Sequence, residues 1–237
     1  MKSYKQEYQR WLDSPALSEA EWQELKSIEN DEKEIEGRFF EPLTFGTAGL
    51  RGIMGVGLHR MNVHVIRHAT QAFANVIKAE GPEACEKGIA IAYDCRVNSE
   101  LFAREAAGVM AANGIRVRIT NGMRPTPELS FAVIHYGTTA GLNITASHNP
   151  KEYNGYKVYW SDGAQLPPQH ADAIAAEMEK TDLFTGVSVM PFDKAVESGM
   201  VTFMDKETDE AFLNCVLGQA INRDVVRKVA DKLKIVY

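Results

Sequence analysis

The densest group of reactive side chains lies in TASHNPKEYNGYK, residues 145–157, where a hydroxyl, an imidazole, an amide and two lysines fall within thirteen positions. A serine hydroxyl is a weak nucleophile unless a base, a metal or local positive charge favours its oxyanion. Ser147 is followed directly by His148, and Lys151 and Lys157 come soon after. These cations could balance the charge of a phosphoryl group carried on the serine. Pro150 fixes the backbone just beyond the site and biases Asn149 towards extended conformations.

Other reactive residues form no comparable group. Cys85, Cys95 and Cys215 make no CxxC pair and read as reduced thiols. His59, His64, His68, His135 and His170 lack metal-ligand spacing and read as structural or exposed. Across 237 residues the formal net charge is -6, with both signs interspersed. That balance offers no basic footprint for nucleic acid. The longest apolar runs, such as residues 88–93, fall far short of the roughly 20 residues that span a bilayer. The N-terminal MKSYKQEYQRWLDS has no apolar core of the signal-peptide kind, so the cytoplasm is the expected compartment.

The loop needs a scaffold, and the surrounding pattern supplies one. Residues 4–36 are polar and helix-prone, with a capping box at Ser18 and Glu21. An extended, glycine-interrupted segment over 44–54 precedes a helix over 63–79 capped by Asn62. Residues 88–93, 115–120, 140–145 and 156–160 read as strands. Helices are expected over 100–113 (capped by Ser99), 127–135 and 168–180. This alternation predicts a mixed α/β fold: a mostly parallel sheet with helices on both faces, preceded by N-terminal helices. The strands flanking the reactive loop lie close enough for a hairpin, which would make one edge antiparallel. After residue 185 the pattern weakens, with helices over 209–217 and 223–232. The final KIVY, residues 234–237, reads as the start of a strand that is cut off, which favours truncation. The expected organisation is a helical lead-in over 1–40, a domain over 41–190, and a linker with the start of a second domain over 191–237.

TASHNP followed by KEYNGYK resembles the phosphoserine loop of the α-D-phosphohexomutases, the phosphoglucomutase and phosphomannomutase superfamily. Its continuation VYWSDGAQ, residues 158–165, is most similar to the branch holding phosphoglucomutases and phosphopentomutases. FGTAGLRG at 45–52, YDCR at 93–96 and RPTP at 124–127 match further family motifs in the same order. The resemblance is close over about residues 40–180. It implies that Ser147 carries the phosphoryl group and, through its phosphate, is a ligand to Mg²⁺. It also implies that His148 polarises the phosphate or incoming hydroxyl, that Lys157 acts in general acid–base transfer, and that Arg51 contacts the phosphoserine. Thr47 and Gly46 would shape the upstream loop, Asn149 would help bind phosphate, and Asp94 and Arg96 would buttress the site.

The implied activity is interconversion of hexose 1- and 6-phosphates through a hexose 1,6-bisphosphate, with glucose the leading sugar. The small-molecule sugar phosphate and the remaining mutase domains would be the partners, with neither nucleic acid nor membrane involved. A phosphopentomutase or phosphomannomutase is the related alternative. A non-catalytic phosphosugar-binding module is the alternative of another class. The sequence departs from the family in lacking its aspartate-rich DxDxDR metal loop and its GE-x-SG sugar segment. These 237 residues are therefore expected to be an incomplete, catalytically poor fragment.

Overall fold

Two capping boxes open the first helices of the computed structural model, which describes residues 3–236. Ser3 pairs with Gln6 to start α1 (Tyr4–Leu12), and Ser18 pairs with Glu21 to start α2 (Glu19–Ser27). Each box satisfies amide groups that a helix start leaves without partners. Asp31 accepts the Glu34 N–H at 3.0 Å and starts α3 (Glu32–Phe39). This lead-in is fastened to the body by Trp11, which is 0% exposed. The indole makes edge contacts with Phe39, His64 and Phe184 at ring separations of 5.7, 5.6 and 5.2 Å.

The body follows in the order β1 (Leu50–Ile53), α4 (Val63–Ala79), α5 (Pro82–Lys87), β2 (Ile89–Tyr93), α6 (Ser99–Ala112), β3 (Val117–Thr120) and α7 (Thr126–Tyr136). It continues with β4 (Ala140–Ile144), β5 (Tyr153–Trp160), α8 (Pro168–Lys180), α9 (Phe192–Glu197) and β6 (Val201–Met204). The six strands form one sheet in the order β1-β5-β4-β2-β3-β6. Strands β4, β2, β3 and β6 run parallel, whereas β5 is antiparallel to both of its neighbours. The hairpin option around the reactive loop is thus the one realised. All five residues of β2 are buried, as expected where helices cover both faces. Ile89, Ile91 and Tyr93 join the main core with α4 and α6. Ala90 and Ala92 face Leu129, Ala132 and Val133 of α7. Helix α7 comes so close that a Cβ on Gly141 would stand 2.6 Å from Val133 Cγ2.

Several expectations are corrected. Ser99 is not a cap: Asn98 holds that position with φ 64°, and the Ser99 hydroxyl points elsewhere. Residues 115 and 116 precede β3 rather than begin it, because the Ile115 N–H is taken by the Met110 carbonyl at 3.0 Å. Strand β5 begins three residues early, at Tyr153, since antiparallel pairing with β1 extends it. Helices α5 and α9 and strand β6 went unanticipated. The expected boundary at residue 190 falls within the first of two compact units, Met1–Met204, which includes β6.

The second unit, Asp205–Tyr237, contains α10 (Lys206–Gly218), capped by Asp205, then α11 (Arg223–Val229) and a single 3₁₀ turn. Residues 234–236 form no strand, because no partner strand reaches them among the described residues; Tyr237 lies outside those residues. No helix among the described residues is long and apolar enough to cross a membrane.

Replacing Trp11 by Ala should cost about 3–5 kcal/mol, the range for deleting a fully buried large aromatic. Urea denaturation of the purified chain checks this. A loss below about 1 kcal/mol would mean that the lead-in is not part of the cooperative fold.

Candidate active site in the loop between β4 and β5

The parallel strands end together at one edge, where open α/β sheets place their ligands. Strand β4 stops at Ile144, and the chain turns through residues 145–152 before β5 begins. Thr145 is buried, and its Oγ1 accepts the Ser147 N–H at 3.0 Å. Asn149 N–H donates to the Ala146 carbonyl at 3.1 Å, which tightens the turn. Ser147 is left in the left-handed region, at φ 55°. Serine in that conformation costs roughly 1–2 kcal/mol, so the surroundings must hold it there.

Arg96 is what holds it. One guanidinium nitrogen donates to the carbonyls of Pro150 and Tyr153 at 2.9 and 3.1 Å. The other donates to those of Ser147 and Asn149 at 2.8 and 2.6 Å. Asp94, at the exit of β2, accepts the Arg96 backbone N–H at 3.0 Å and faces its Nε at 3.5 Å. The RPTP turn joins the same edge, with Arg124 N–H donating to the Tyr93 carbonyl at 3.1 Å.

The structure brings the sequence-derived residues together unevenly. Ser147 and His148 are exposed, with Ser147 Oγ 3.4 Å from His148 Nδ1, a long and weak contact. Asn149 is engaged through its backbone, and its buried side-chain oxygen has no protein partner. Lys157 lies on β5 opposite Asn143 of β4, while Arg51 lies on β1 opposite Gly155. Strand alternation therefore sends Arg51 and Lys157 to one face, while Leu50 and Tyr156 enter the core on the other. Burial pulls the Lys157 ammonium below the ordinary lysine value, the Arg51 charge pulls it the same way, and Asp94 acts in the opposite sense. No hydrogen bond joins Arg51 to Ser147 among the described residues.

Gly46 and Gly49 close a tight turn through mutual backbone bonds of 3.2 and 2.7 Å, with Thr47 exposed at its tip. Gly49 has φ 76°, and a Cβ there would stand 1.8 Å from the Tyr156 carbonyl oxygen, so only glycine lets this turn lie against β5. Lys151 is a solvated loop charge. Sequence reasoning gave Asp94 and Arg96 a supporting role without its form, and it missed Thr145, Ser99 and Asn154. The available signal was an arginine two residues beyond a strand-terminal aspartate.

Mg²⁺ takes several oxygen ligands in near-octahedral geometry. Among the described residues no group of three or more His, Cys, Asp or Glu side chains could hold a metal. Asp94, beside the loop, already has its Oδ1 engaged by the Ser99 hydroxyl and the Arg96 N–H. These residues do not assemble a Mg²⁺ site on their own.

Residues 42–184 match the family of phosphoglucomutase/phosphomannomutase, alpha/beta/alpha domain I. The chain belongs to this family. A phosphoglucomutase of Staphylococcus saprophyticus is 34% identical over 202 residues, covering 85% of this chain and 36% of that protein. A human phosphopentomutase is 40% identical over 158 residues, covering 64% of this chain and 26% of that protein. A Thermus thermophilus structure, provisionally assigned as a phosphomannomutase, superposes with a TM-score of 0.56 at 28% identity. It covers 69% of this chain and 33% of its own. The chain therefore spans about a third or less of the curated mutases it resembles. A phosphomutase domain I of this kind accounts for the six-stranded mixed sheet and its covering helices.

Because its pKa is depressed on folding, Lys157 opposes folding at neutral pH. The unfolded chain binds more protons between the lowered folded value and the ordinary lysine value near ~10.4, so this contribution to stability rises with pH across that window. NMR titration of the Lys157 side chain should find a midpoint below the ordinary value. Arg51→Ala should move the midpoint upward, and an unmoved midpoint would show that Arg51 does not act on Lys157.

Proposed function

We propose that this chain is the phosphoryl-carrying part of a mutase that interconverts the 1- and 6-phosphates of a hexose, with glucose the leading candidate. The observation that supports this most is the exposed Ser147, placed in a left-handed turn by the Arg96 clamp at the ligand-binding edge of the sheet. In this reading the Oγ–P bond of phosphorylated Ser147 breaks as the phosphoryl group moves to the free sugar hydroxyl. Lys157, in its neutral form, accepts the hydroxyl proton while the departing Ser147 Oγ takes up a proton from solvent; the lowered pKa of Lys157 makes its neutral form more accessible. The resulting bisphosphate turns over, Ser147 Oγ gives its proton back to solvent as it takes the other phosphoryl group, and the proton held by Lys157 passes to the released sugar oxygen. His148, beside Oγ, is placed to polarise the phosphate or the incoming hydroxyl, and Arg51 presents a guanidinium suited to phosphate oxygens. The reading assigns the metal carboxylates and sugar-selecting groups to chain outside these 237 residues, so the isolated chain is expected to show little turnover.

The human relative named as a phosphopentomutase gives a pentose phosphate standing as a second substrate class. Comparison of kcat/KM for glucose, mannose and ribose 1-phosphates on the full-length protein decides between them.

The test of the carrier is intact-mass analysis with phosphopeptide mapping after exposure of the full-length protein to glucose 1,6-bisphosphate. One phosphate is expected, on the peptide containing Ser147. Ser147→Ala should abolish it and lower mutase turnover by roughly 10⁴-fold or more, the scale for removal of a covalent nucleophile. Phosphate found on another residue, or full turnover in Ser147→Ala, would overturn the proposal.

A further inference from the structure

The Arg96 clamp is itself held by side chains deeper in the domain. Asn154, at the start of β5, is 0% exposed, and so is Ser99, the first residue of α6. The Asn154 side-chain amide donates to Ser99 Oγ and to the Val97 carbonyl, both at 3.0 Å. Its own oxygen accepts the Gly155 N–H at 2.7 Å, so every polar atom of the side chain is used. Ser99 Oγ accepts from Asn154, so its single proton is free to go to Asp94 Oδ1, 2.8 Å away. Asp94 in turn holds Arg96, and Arg96 grips four carbonyls of the loop and the strand that follows it.

The result is a closed ring. It leaves β5 through Asn154, crosses to α6 through Ser99, passes the exit of β2 through Asp94 and Arg96, and returns to the chain between Ser147 and Tyr153. Each link has one direction of donation, so the ring has one hydrogen-bonded arrangement. Neither Asn154 nor Ser99 is exposed, so a ligand at the loop touches neither. A serine at the first position of a helix needs no buried partner to support that helix, and alanine is the better helix former. A fully buried hydroxyl there is instead spent on Asp94.

We propose that Asn154 and Ser99 are positioning residues for the phosphoryl group on Ser147: acting through Asp94 and Arg96, they fix the direction in which the loop presents it. This rests on the reading of Ser147 as the phosphoryl carrier. Without the Ser99 hydroxyl, Asp94 loses one of the two donors on Oδ1 and is no longer confined to the side facing Arg96. The guanidinium then lacks a fixed base, and the left-handed turn at Ser147 is free to relax.

The test uses this chain with phosphoserine placed genetically at position 147, in wild type and in Ser99→Ala, Asn154→Ala and Ile174→Val. Ile174 is fully buried on α8, away from the ring, and Ile174→Val supplies a mild loss of stability that leaves the ring intact. The first readout is the ³¹P resonance, compared with that of a free phosphoserine peptide. The second is amide hydrogen exchange over residues 147–151, normalised to the global stability of each variant. Wild type should show a displaced, single ³¹P resonance. Ser99→Ala should move it towards the free-peptide position and speed exchange in the loop roughly ten-fold or more, the scale for loss of one buried hydrogen-bonding group. Ile174→Val should leave both unchanged. Should Asn154→Ala fail to fold, Ser99→Ala carries the test alone.

An unchanged resonance and unchanged loop exchange in Ser99→Ala would overturn the proposal, as would equal changes in Ile174→Val. A full-length protein that never phosphorylates Ser147 would instead defeat the carrier reading, a result separate from the exchange measurement.

Discussion

One guanidinium sets the geometry of this domain's reactive edge. Arg96 donates to four backbone carbonyls within seven residues of one another, from Ser147 to Tyr153. Each such bond involves a charged donor and contributes roughly 1.5–3 kcal/mol, so two of them outweigh the roughly 1–2 kcal/mol cost of the left-handed serine. The planar fork is essential, since a lysine ammonium offers three donors from a single point and cannot reach two pairs of separated carbonyls. The loop that carries Ser147 therefore has a fixed shape although its outer residues stand in solvent. Precision at an exposed position comes from anchoring the backbone and leaving the side chain free.

The electrostatics of the edge follow from the same arrangement. Asp94 is occupied by Arg96 and Ser99, and it only partly offsets the lowering of the Lys157 pKa by burial and by Arg51. A carboxylate free to pair with Lys157 would strengthen its charged form and take away its capacity to accept a proton. The buttress of the loop and the basicity of the lysine are thus two effects of where one aspartate points.

Much of this was legible in the sequence. Helices over 63–79 and 168–180 are found at the expected residues, because Asn62 and Pro168 mark their starts and the apolar spacing is regular. The reactive loop was legible because its residue types cluster within thirteen positions. Ser99 was misread for a physical reason: a serine before a helical pattern looks like a cap, and only tertiary structure reveals that its hydroxyl turns inward to Asp94. Asn154 sits inside the most informative motif, yet its role depends on a helix start fifty-five residues away. Strand β6 escaped because four residues with two exposed side chains carry little periodicity, and its pairing with β3 is long-range. Lys157 was identified as a residue, but its lowered pKa comes first from burial and then from Arg51, and the strand register that sets both is a tertiary feature.

Strand β5 lies between β1 and β4, and its alternation couples the core to the chemistry. Tyr156 and Val158 are buried, while Lys157 between them faces the reactive side. A slip of one residue against both neighbours would drive the lysine into the hydrocarbon interior and expose the tyrosine. Folding thereby proofreads the site: a molecule that has buried its core correctly has, by the same act, aimed its lysine correctly. Sequence drift can alter the solvent-facing tip of the loop, but an insertion or deletion within β5 itself would be removed as a folding defect before it could be tested as a catalytic one.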